Sequence, residues 1–380
     1  MRNLRIDWIP GANNRARRLP NTLWTNDMKT KTIGIIGGGQ LGRMLAIAAS
    51  RLNFQIIILE PQPDCPAAQL ANEQIVAAYD DRDALQRLAE ACDVVTYEFE
   101  NVPVQAARFL EKLVPVYPPA QALEVAQDRL VEKQYLNACG IPTAGFRSVD
   151  SQQDLEKALA EFGGEGVLKT RRLGYDGKGQ AVFRKGDAAT GAYDRLGGVP
   201  LILESFVPFV REISVIAARD LDGRIECYDP AENIHRNGIL DTSTLPANIS
   251  TGVATQARDC AVRLLSALDY VGVLGIEFFV TADDKLIANE IAPRVHNSGH
   301  WTEAASVVSQ FEQHIRAVGG LPLGSPIRHS DCVMTNLIGD DILSLENLAL
   351  EKNVLIHLYG KTEPRPGRKM GHITRLTSGK

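Results

Sequence analysis

The sequence predicts two fold classes in series: an α/β unit with a parallel sheet, then an α+β unit with antiparallel sheets and a small C-terminal piece. Three patterns carry this expectation. The apolar run 32–36 leads into Gly37-Gly38-Gly39-Gln40-Leu41-Gly42 and then Met44, Leu45, Ala48, Ala49 and Leu52 at helical spacing, which reads as strand, glycine turn and helix. Further strands over 55–59 and 93–97 alternate with a helical stretch over 83–91, as in a parallel sheet. Strand-like segments at 166–170, 180–183, 201–204, 212–218 and 225–228 then follow at hairpin spacing, which predicts antiparallel pairing.

Between these units a charged helix is expected over 120–138, stopped by Gly140 and Pro142. A helix over 250–268 precedes two strands, 273–280 and 286–291, and a cap begins near Arg316. Residues 1–27 carry Arg2, Arg5, Arg15, Arg17 and Arg18 without periodicity. They read as a dispensable leader, with Met28 as a candidate start. The expected division is a leader over 1–27, an α/β domain over 28–125, a central domain over 126–315 and a C-terminal domain over 316–380.

Composition bounds the function. A chain of 380 residues with 44% hydrophobic and 23% charged content can bury several cores. A formal net charge of -5 leaves no general basic field for nucleic acid or an anionic membrane surface, so any phosphate must be held locally. The six cysteines are scattered without C-x-x-C spacing, which fits reduced thiols in a cytoplasm. No apolar run approaches the roughly 18 residues that span a bilayer.

Four segments carry chemistry. Gly37-x-Gly39-x-x-Gly42, with acidic Glu60 ending the next strand, matches a dinucleotide fingerprint; its backbone would equally receive a substrate phosphate, or serve only tight packing. Lys169-Thr170-Arg171-Arg172-Leu173-Gly174-Tyr175-Asp176-Gly177-Lys178-Gly179-Gln180 places glycines and cations between two strands, as a loop that folds over phosphates would. Two strands joined near Asp283-Asp284 bring Glu277 opposite Glu290 if the turn has two or four residues. Carboxylates so placed, with Cβ atoms about 4.5 to 5.5 Å apart, repel, and a divalent cation resolves the conflict; oxygen-only ligands suit Mg²⁺ shared with nucleotide phosphates. Immediately downstream, Arg294 could stabilise a transferring phosphoryl group and His296, Asn297 and Ser298 could orient a small anion, with His300 and Trp301 structural. Finally, Tyr359-Gly360-Lys361 and 365–372 form a local basic patch that suits a phosphate monoester.

In this order, the segments 37–44, Thr96-Tyr97-Glu98-Phe99-Glu100-Asn101, 174–180, 289–294, 296–302 and 359–372 resemble the ATP-grasp superfamily. Within it they are similar to the carboxyaminoimidazole ribonucleotide synthases, the ATPase subunits of phosphoribosylaminoimidazole carboxylase, over about residues 31–374. The resemblance implies a Rossmann-like N-terminal domain, a two-lobed ATP-grasp domain and a small C-terminal domain, usually in a homodimer. It implies that ATP is held by Arg129, Lys169, Gly174, Tyr175, Asp176, Gly177, Lys178, Gly179 and Gln180. Glu204, Ser205, Phe206 and Val207 would lie at the adenine, Glu212 at the ribose, and His235 beside them. Glu277 and Glu290, with Asn289 alongside, would hold Mg²⁺, for which Mn²⁺ would substitute. Gln40, Leu41, Tyr175, Asp176, Arg294, Lys361 and Arg368 would bind aminoimidazole ribonucleotide and bicarbonate, with Arg294, His296, Asn297 and Tyr175 catalytic. The family phosphorylates bicarbonate and carboxylates the exocyclic amine of the ribonucleotide in purine synthesis, its product passing to a mutase. Leu173 stands where the family usually has Gly, and Val295 where it has Pro. The alternatives are another ATP-grasp ligase, an NAD-dependent oxidoreductase built on the glycine turn, and an ATP-sensing regulator with a degenerate site, which would have lost the paired glutamates or loop lysines.

Overall fold

The structure, a computed structural model, describes residues 30–174 and 179–377; the expected leader and the loop tip 175–178 lie outside the described residues. The first unit comprises β1 (Thr32–Ile36), α1 (Gln40–Arg51), β2 (Gln55–Leu59), β3 (Glu73–Ile75), α2 (Arg82–Ala91), β4 (Val94–Tyr97), α3 (Val104–Leu110) and α4 (Ala120–Ala126). Its four strands pair in parallel in the order β3-β2-β1-β4, as predicted. Side chains alternate along each strand, so both faces need cover. Ile33 and Ile35 pack with Met44 and Leu45 of α1, and Ile36, Ile57 and Leu59 with Leu85 and Leu88 of α2.

The helix expected over 120–138 is two helices. It breaks after α4, and α5 (Arg129–Ala138) begins afresh behind Asp128, whose carboxylate accepts from Leu130 N and Val131 N. An Asp inside a helical pattern competes for backbone donors and favours a cap. This one also takes the Arg171 guanidinium at 2.7 Å, while Arg129 N donates to Arg171 O. The break therefore seats the start of α5 against the loop that follows the sixth strand.

That strand belongs to a small antiparallel sheet. After α5 come β5 (Phe146–Val149), α6 (Gln152–Glu161), β6 (Gly166–Thr170), β7 (Gln180–Phe183), α7 (Ala192–Arg195) and β8 (Leu201–Glu204), with strand order β5-β8-β6-β7. Leu155 and Leu159 of α6 cover Val149, Leu168 and Leu203.

A nine-stranded sheet faces it. It is built from β9 (Phe209–Arg219), β10 (Ile225–Cys227), β11 (Ala231–Arg236), β12 (Ile239–Leu245), and, after α8 (Thr251–Ala267), β13 (Gly272–Thr281) and β14 (Leu286–Ala292). Beyond α9 (Thr302–Ala305) and α10 (Gln310–Gly319), β15 (Asp331–Ile338), α11 (Leu345–Leu348), β16 (Val354–Leu358) and β17 (Lys369–Thr377) complete it. The order is β14-β13-β9-β11-β12-β15-β17-β16, with β10 on β9. The C-terminal strands thus continue the central sheet through β12 and β15, and α10 runs through position 316, where the cap was expected to begin. The hairpin β11–β12, unread in the sequence, turns on Asn237-Gly238, both at positive φ (52° and 77°), the pair that a two-residue primed turn favours.

Replacing Asp128 by Ala is expected to lower stability by about 1–2 kcal/mol through loss of the cap. Asp128→Asn keeps the cap acceptor and loses the charge pair with Arg171, and should cost less; thermal unfolding of the two variants side by side measures the difference.

Candidate active site

β13 and β14 place Glu277 opposite Glu290, as predicted, but by a different route. The turn closes over three residues between Thr281 and Lys285, with Asp284 left-handed at φ 58°. An odd turn sets Glu277 against Asn289. A bulge between Glu277 and Phe278 then leaves Asn289 as the extra residue and returns the two glutamates to one register. The Asn289 Oδ1 is buried with no hydrogen-bond partner among the described residues.

Burial pushes Glu277 up, and the neighbouring Glu290 charge pushes it further. At Glu290 burial acts in the same sense, yet Arg129, 2.9 Å away, and Lys169 outweigh it and hold this carboxyl below the usual range. Two opposed carboxylates and an unpaired amide oxygen make an all-oxygen donor set, which fits a hard divalent cation.

A cleft of about 380 Å³ lies between the two antiparallel sheets. Of the residues expected at the nucleotide, Arg129, Lys169, Gln180, Glu204, Ser205, Phe206, Val207, Glu212, His235, Asn289 and Glu290 all line it. Gly174 faces the adjoining cavity, where its carbonyl accepts from Arg129 at 3.4 Å, and Gly179 O accepts from Thr170 N. Tyr175, Asp176, Gly177 and Lys178 lie outside the described residues. Leu173, in place of a glycine, adopts φ 62°, which explains why glycine serves there at lower cost.

Within the cleft, His235 of β11 stands beside a bulge at Asp241 of β12, 2.9 Å from Glu212. Burial opposes its protonation, but Glu212 and the charge of Glu277 raise its pKa. Glu204 sits between Lys169 at 3.0 Å and Lys133 at 3.4 Å. Burial would raise the Glu204 carboxyl, but these two cations hold it down. Lys133 is fully buried and also donates to Asn289 O at 2.5 Å. It therefore ties the small sheet to the bulge that aligns the glutamates. The sequence hid it among the other charges of the helix expected over 120–138.

A second cavity of about 200 Å³ adjoins the first and shares Arg129, Glu290, His296, Asn297 and Lys369 with it. Gln40, Leu41 and Arg294 line it, as expected of substrate residues. The Arg294 Nε donates to Glu100 at 2.5 Å, and although burial works against its charge, Glu100 sustains it. Burial, then Arg294, pushes His296 down to about 3. Its Nδ1 accepts from Ser298 N, which leaves the ring proton on Nε2, 3.7 Å from Glu277. Gln310 clamps this loop, accepting from His296 N and donating to His296 O. Both amide atoms of Asn297 are buried without partners among the described residues. His300 and Trp301 are buried, Trp301 against Tyr228 in the core.

The glycine turn holds an anion, but it is the protein's own. Gly39 N and Gly42 N both donate to the Glu98 carboxylate, and Gly38 N to Glu60 at 2.9 Å. Glu60 also receives the Tyr79 hydroxyl. A pyrophosphate would have to displace Glu98, and Glu60 is turned inward rather than toward a ribose, so the dinucleotide reading is corrected. Lys361 and Arg368 line neither cavity. Lys361 donates to Lys369 O and Arg368 to Glu363 O. Gly360, beside Lys361, packs on Arg43 and Gln69 next to α1.

Lys133→Met should destabilise the chain by about 3 kcal/mol, the low end for removing one partner of a buried ion pair because Lys169 still faces Glu204. Denaturant unfolding gives the size, and a raised KM for ATP would report the loosened bulge.

Comparison with known proteins agrees with this geometry. A family model for the ATP-grasp domain matches residues 134–311, one for the ribonucleotide synthetase preATP-grasp domain matches 29–127, and one for the phosphoribosylaminoimidazole carboxylase C-terminal domain matches 332–379. The N5-carboxyaminoimidazole ribonucleotide synthase of Brucella melitensis is 62% identical over 347 residues, covering 91% of this chain and 96% of that protein. That of Bacillus subtilis is 43% identical over 343 residues, 90% of each. Among solved structures, an ADP complex of an N5-carboxyaminoimidazole ribonucleotide synthetase superposes with a TM-score of 0.89 at 44% identity, covering 91% of this chain and 92% of that one. The Aspergillus clavatus enzyme with ADP and 5-aminoimidazole ribonucleotide gives 0.87 at 33%, covering 92% and 94%. With three consecutive domain families, relatives of this identity and coverage, and two cavities meeting at a carboxylate hairpin, the chain belongs to the N5-carboxyaminoimidazole ribonucleotide synthase family of ATP-grasp ligases.

Proposed function

We propose that this chain binds ATP in the cleft between the antiparallel sheets and 5-aminoimidazole ribonucleotide in the adjoining cavity, and joins bicarbonate to the exocyclic amine at their shared wall. The observation that carries this reading is that wall itself. Arg129, Glu290, His296 and Asn297 face both cavities, so a phosphoryl group delivered from one side meets an acceptor on the other.

In the reaction, a bicarbonate oxygen attacks the γ-phosphorus and ADP departs, leaving carboxyphosphate. The amine then takes the carbon, from carboxyphosphate or from carbon dioxide released from it, while inorganic phosphate leaves and the amine loses a proton. No covalent bond to the protein is needed, so catalysis consists of positioning and charge stabilisation. Arg294, anchored on Glu100, supplies fixed positive charge to the transferring group. His296, neutral with its proton on Nε2, and Asn297, with both amide atoms unpaired among the described residues, orient the small anion, and Tyr175 completes the set. Glu277 and Glu290, with Asn289 beside them, would hold Mg²⁺, or Mn²⁺ in its place, which would supply charge to neutralise the phosphates. Lys361 and Arg368 receive the ribonucleotide phosphate beside the glycine turn, whose own amides are already engaged. We extend the same reading to a cytoplasmic homodimer of the family type, divided near residues 125 and 315, whose product passes to a mutase.

Purified protein with Mg²⁺, ATP and bicarbonate is expected to release ADP faster when 5-aminoimidazole ribonucleotide is added, and Glu290→Ala should reduce that release by at least about 100-fold. ATP turnover indifferent to the ribonucleotide would assign another acceptor to the second cavity. Burial, followed by the Arg368 charge, pushes Lys361 down to about 8. The ammonium is charged below that pH and lost above it, so KM for the ribonucleotide should climb as pH rises through about 8, whereas Lys361→Arg, which stays cationic, should flatten the climb.

A further inference from the structure

Behind the second cavity stands a group of side chains that the proposed reaction does not use. His357 of β16 and His372 of β17 are direct cross-strand partners, so both imidazoles leave the sheet on one face. Their rings are nearly parallel, 9° apart, with centroids 5.2 Å from each other. Glu303 of α9 reaches over them, its Oε2 3.0 Å from His357 Nδ1 and 3.6 Å from His372 Nε2.

We propose that Glu303, His357 and His372 form a site for one divalent transition ion of the zinc type, distinct from the all-oxygen hairpin at Glu277 and Glu290. The three donor atoms lie within 4.8 Å of one another. An ion about 2.0–2.1 Å from each, in tetrahedral geometry, asks for donor pairs separated by about 3.3 Å. The two distances to Glu303 bracket that value, and the imidazole pair, within 4.8 Å, closes to it by side-chain rotation. Two imidazoles and one carboxylate favour Zn²⁺ and its neighbours, whereas Mg²⁺ prefers oxygen alone. Three protein ligands leave a fourth position for water or an exogenous ligand.

The surroundings are those of a built site. Tyr359, itself buried, places its hydroxyl 3.0 Å from His372 Nδ1, which fixes the ring with Nε2 toward Glu303, as an outer partner of a metal-bound histidine does. His372 is buried, while His357 and Glu303 are partly exposed, so an ion can enter from solvent. His300, whose ring lies 4.8 Å from that of His372, lines the second cavity. A bound ion therefore joins α9 to the β16–β17 pair and stiffens the back wall of the substrate region.

The test is titration of the chelator-stripped full chain with Co²⁺, followed by visible absorption. One equivalent should give the ligand-field bands of a tetrahedral nitrogen and oxygen site, Zn²⁺ should erase them, and excess Mg²⁺ should leave them unchanged. His357→Ala and Glu303→Gln should each weaken Co²⁺ binding by at least about 10-fold and Tyr359→Phe by about 10-fold or more, while ADP release by His357→Ala shows that it is folded. Zn²⁺ should also raise the Tm of the parent and not of His357→Ala. Sulfur-to-cobalt charge-transfer absorption, bands that Mg²⁺ removes, bands that persist in both ligand variants, or no bands at all would overturn the proposal and leave the cluster as a plain His–Glu contact.

Discussion

Two carboxylates that repel one another face across a hairpin, and the rest of the site is organised by what makes that tolerable. Glu277 and Glu290 share a register only because Asn289 bulges out of β14. Arg129 and Lys169 hold Glu290 ionised while Glu277 is pushed up, so without a ligand the pair carries less than its full charge. Lys133, buried between Glu204 and Asn289 O, links this hairpin to the small sheet. The two faces of the nucleotide cleft are thus joined through Glu204 and its two lysines, one of which also donates to the Asn289 carbonyl. A cation brought in with nucleotide phosphates would relieve the remaining repulsion, so the site is preorganised for a charged complex rather than for a neutral one.

The glycine turn shows how one motif can serve two ends. Its spacing suits close approach of an anion to a helix N-terminus, and the anion present is Glu98. That carboxylate, buried and bonded to Gly39 and Gly42, fixes the start of α1 against β4. The same short segment supplies Glu100, the anchor of Arg294. The glycine turn and the Arg294 loop are therefore aligned through two glutamates that stand two residues apart, which gives physical meaning to Glu98-Phe99-Glu100.

The C-terminal strands share in the central sheet, and their turn packs Gly360 against Arg43 and Gln69 beside α1 while Lys369 faces both cavities. The second cavity is accordingly walled by all three parts of the chain.

The sequence by itself determined the fold class, because strand and helix periods and their order are local properties: apolar alternation, glycine turns and caps are written within a few residues of one another. It likewise singled out Lys169, Glu277, Glu290, Arg294 and Asn297 by type and spacing, and Glu204 through the family resemblance, and all of them line the two cavities. Asn237-Gly238 carried a hairpin signal as well, a two-residue turn of favoured composition, although the expected strands did not include that hairpin. Tertiary structure alone decided the rest. Whether the turn at Asp283-Asp284 was odd or even, and whether a bulge compensated, depended on how β14 packs against α5 and Lys133. Whether the glycine turn was open to a phosphate depended on Glu98, which stands 56 residues from Gly42. The meeting of Glu303 with His357 and His372 needed two strands in register and a helix from elsewhere in the chain. Periodicity reports which face a side chain takes, whereas a shared partner across long separations is set by the packing of whole elements.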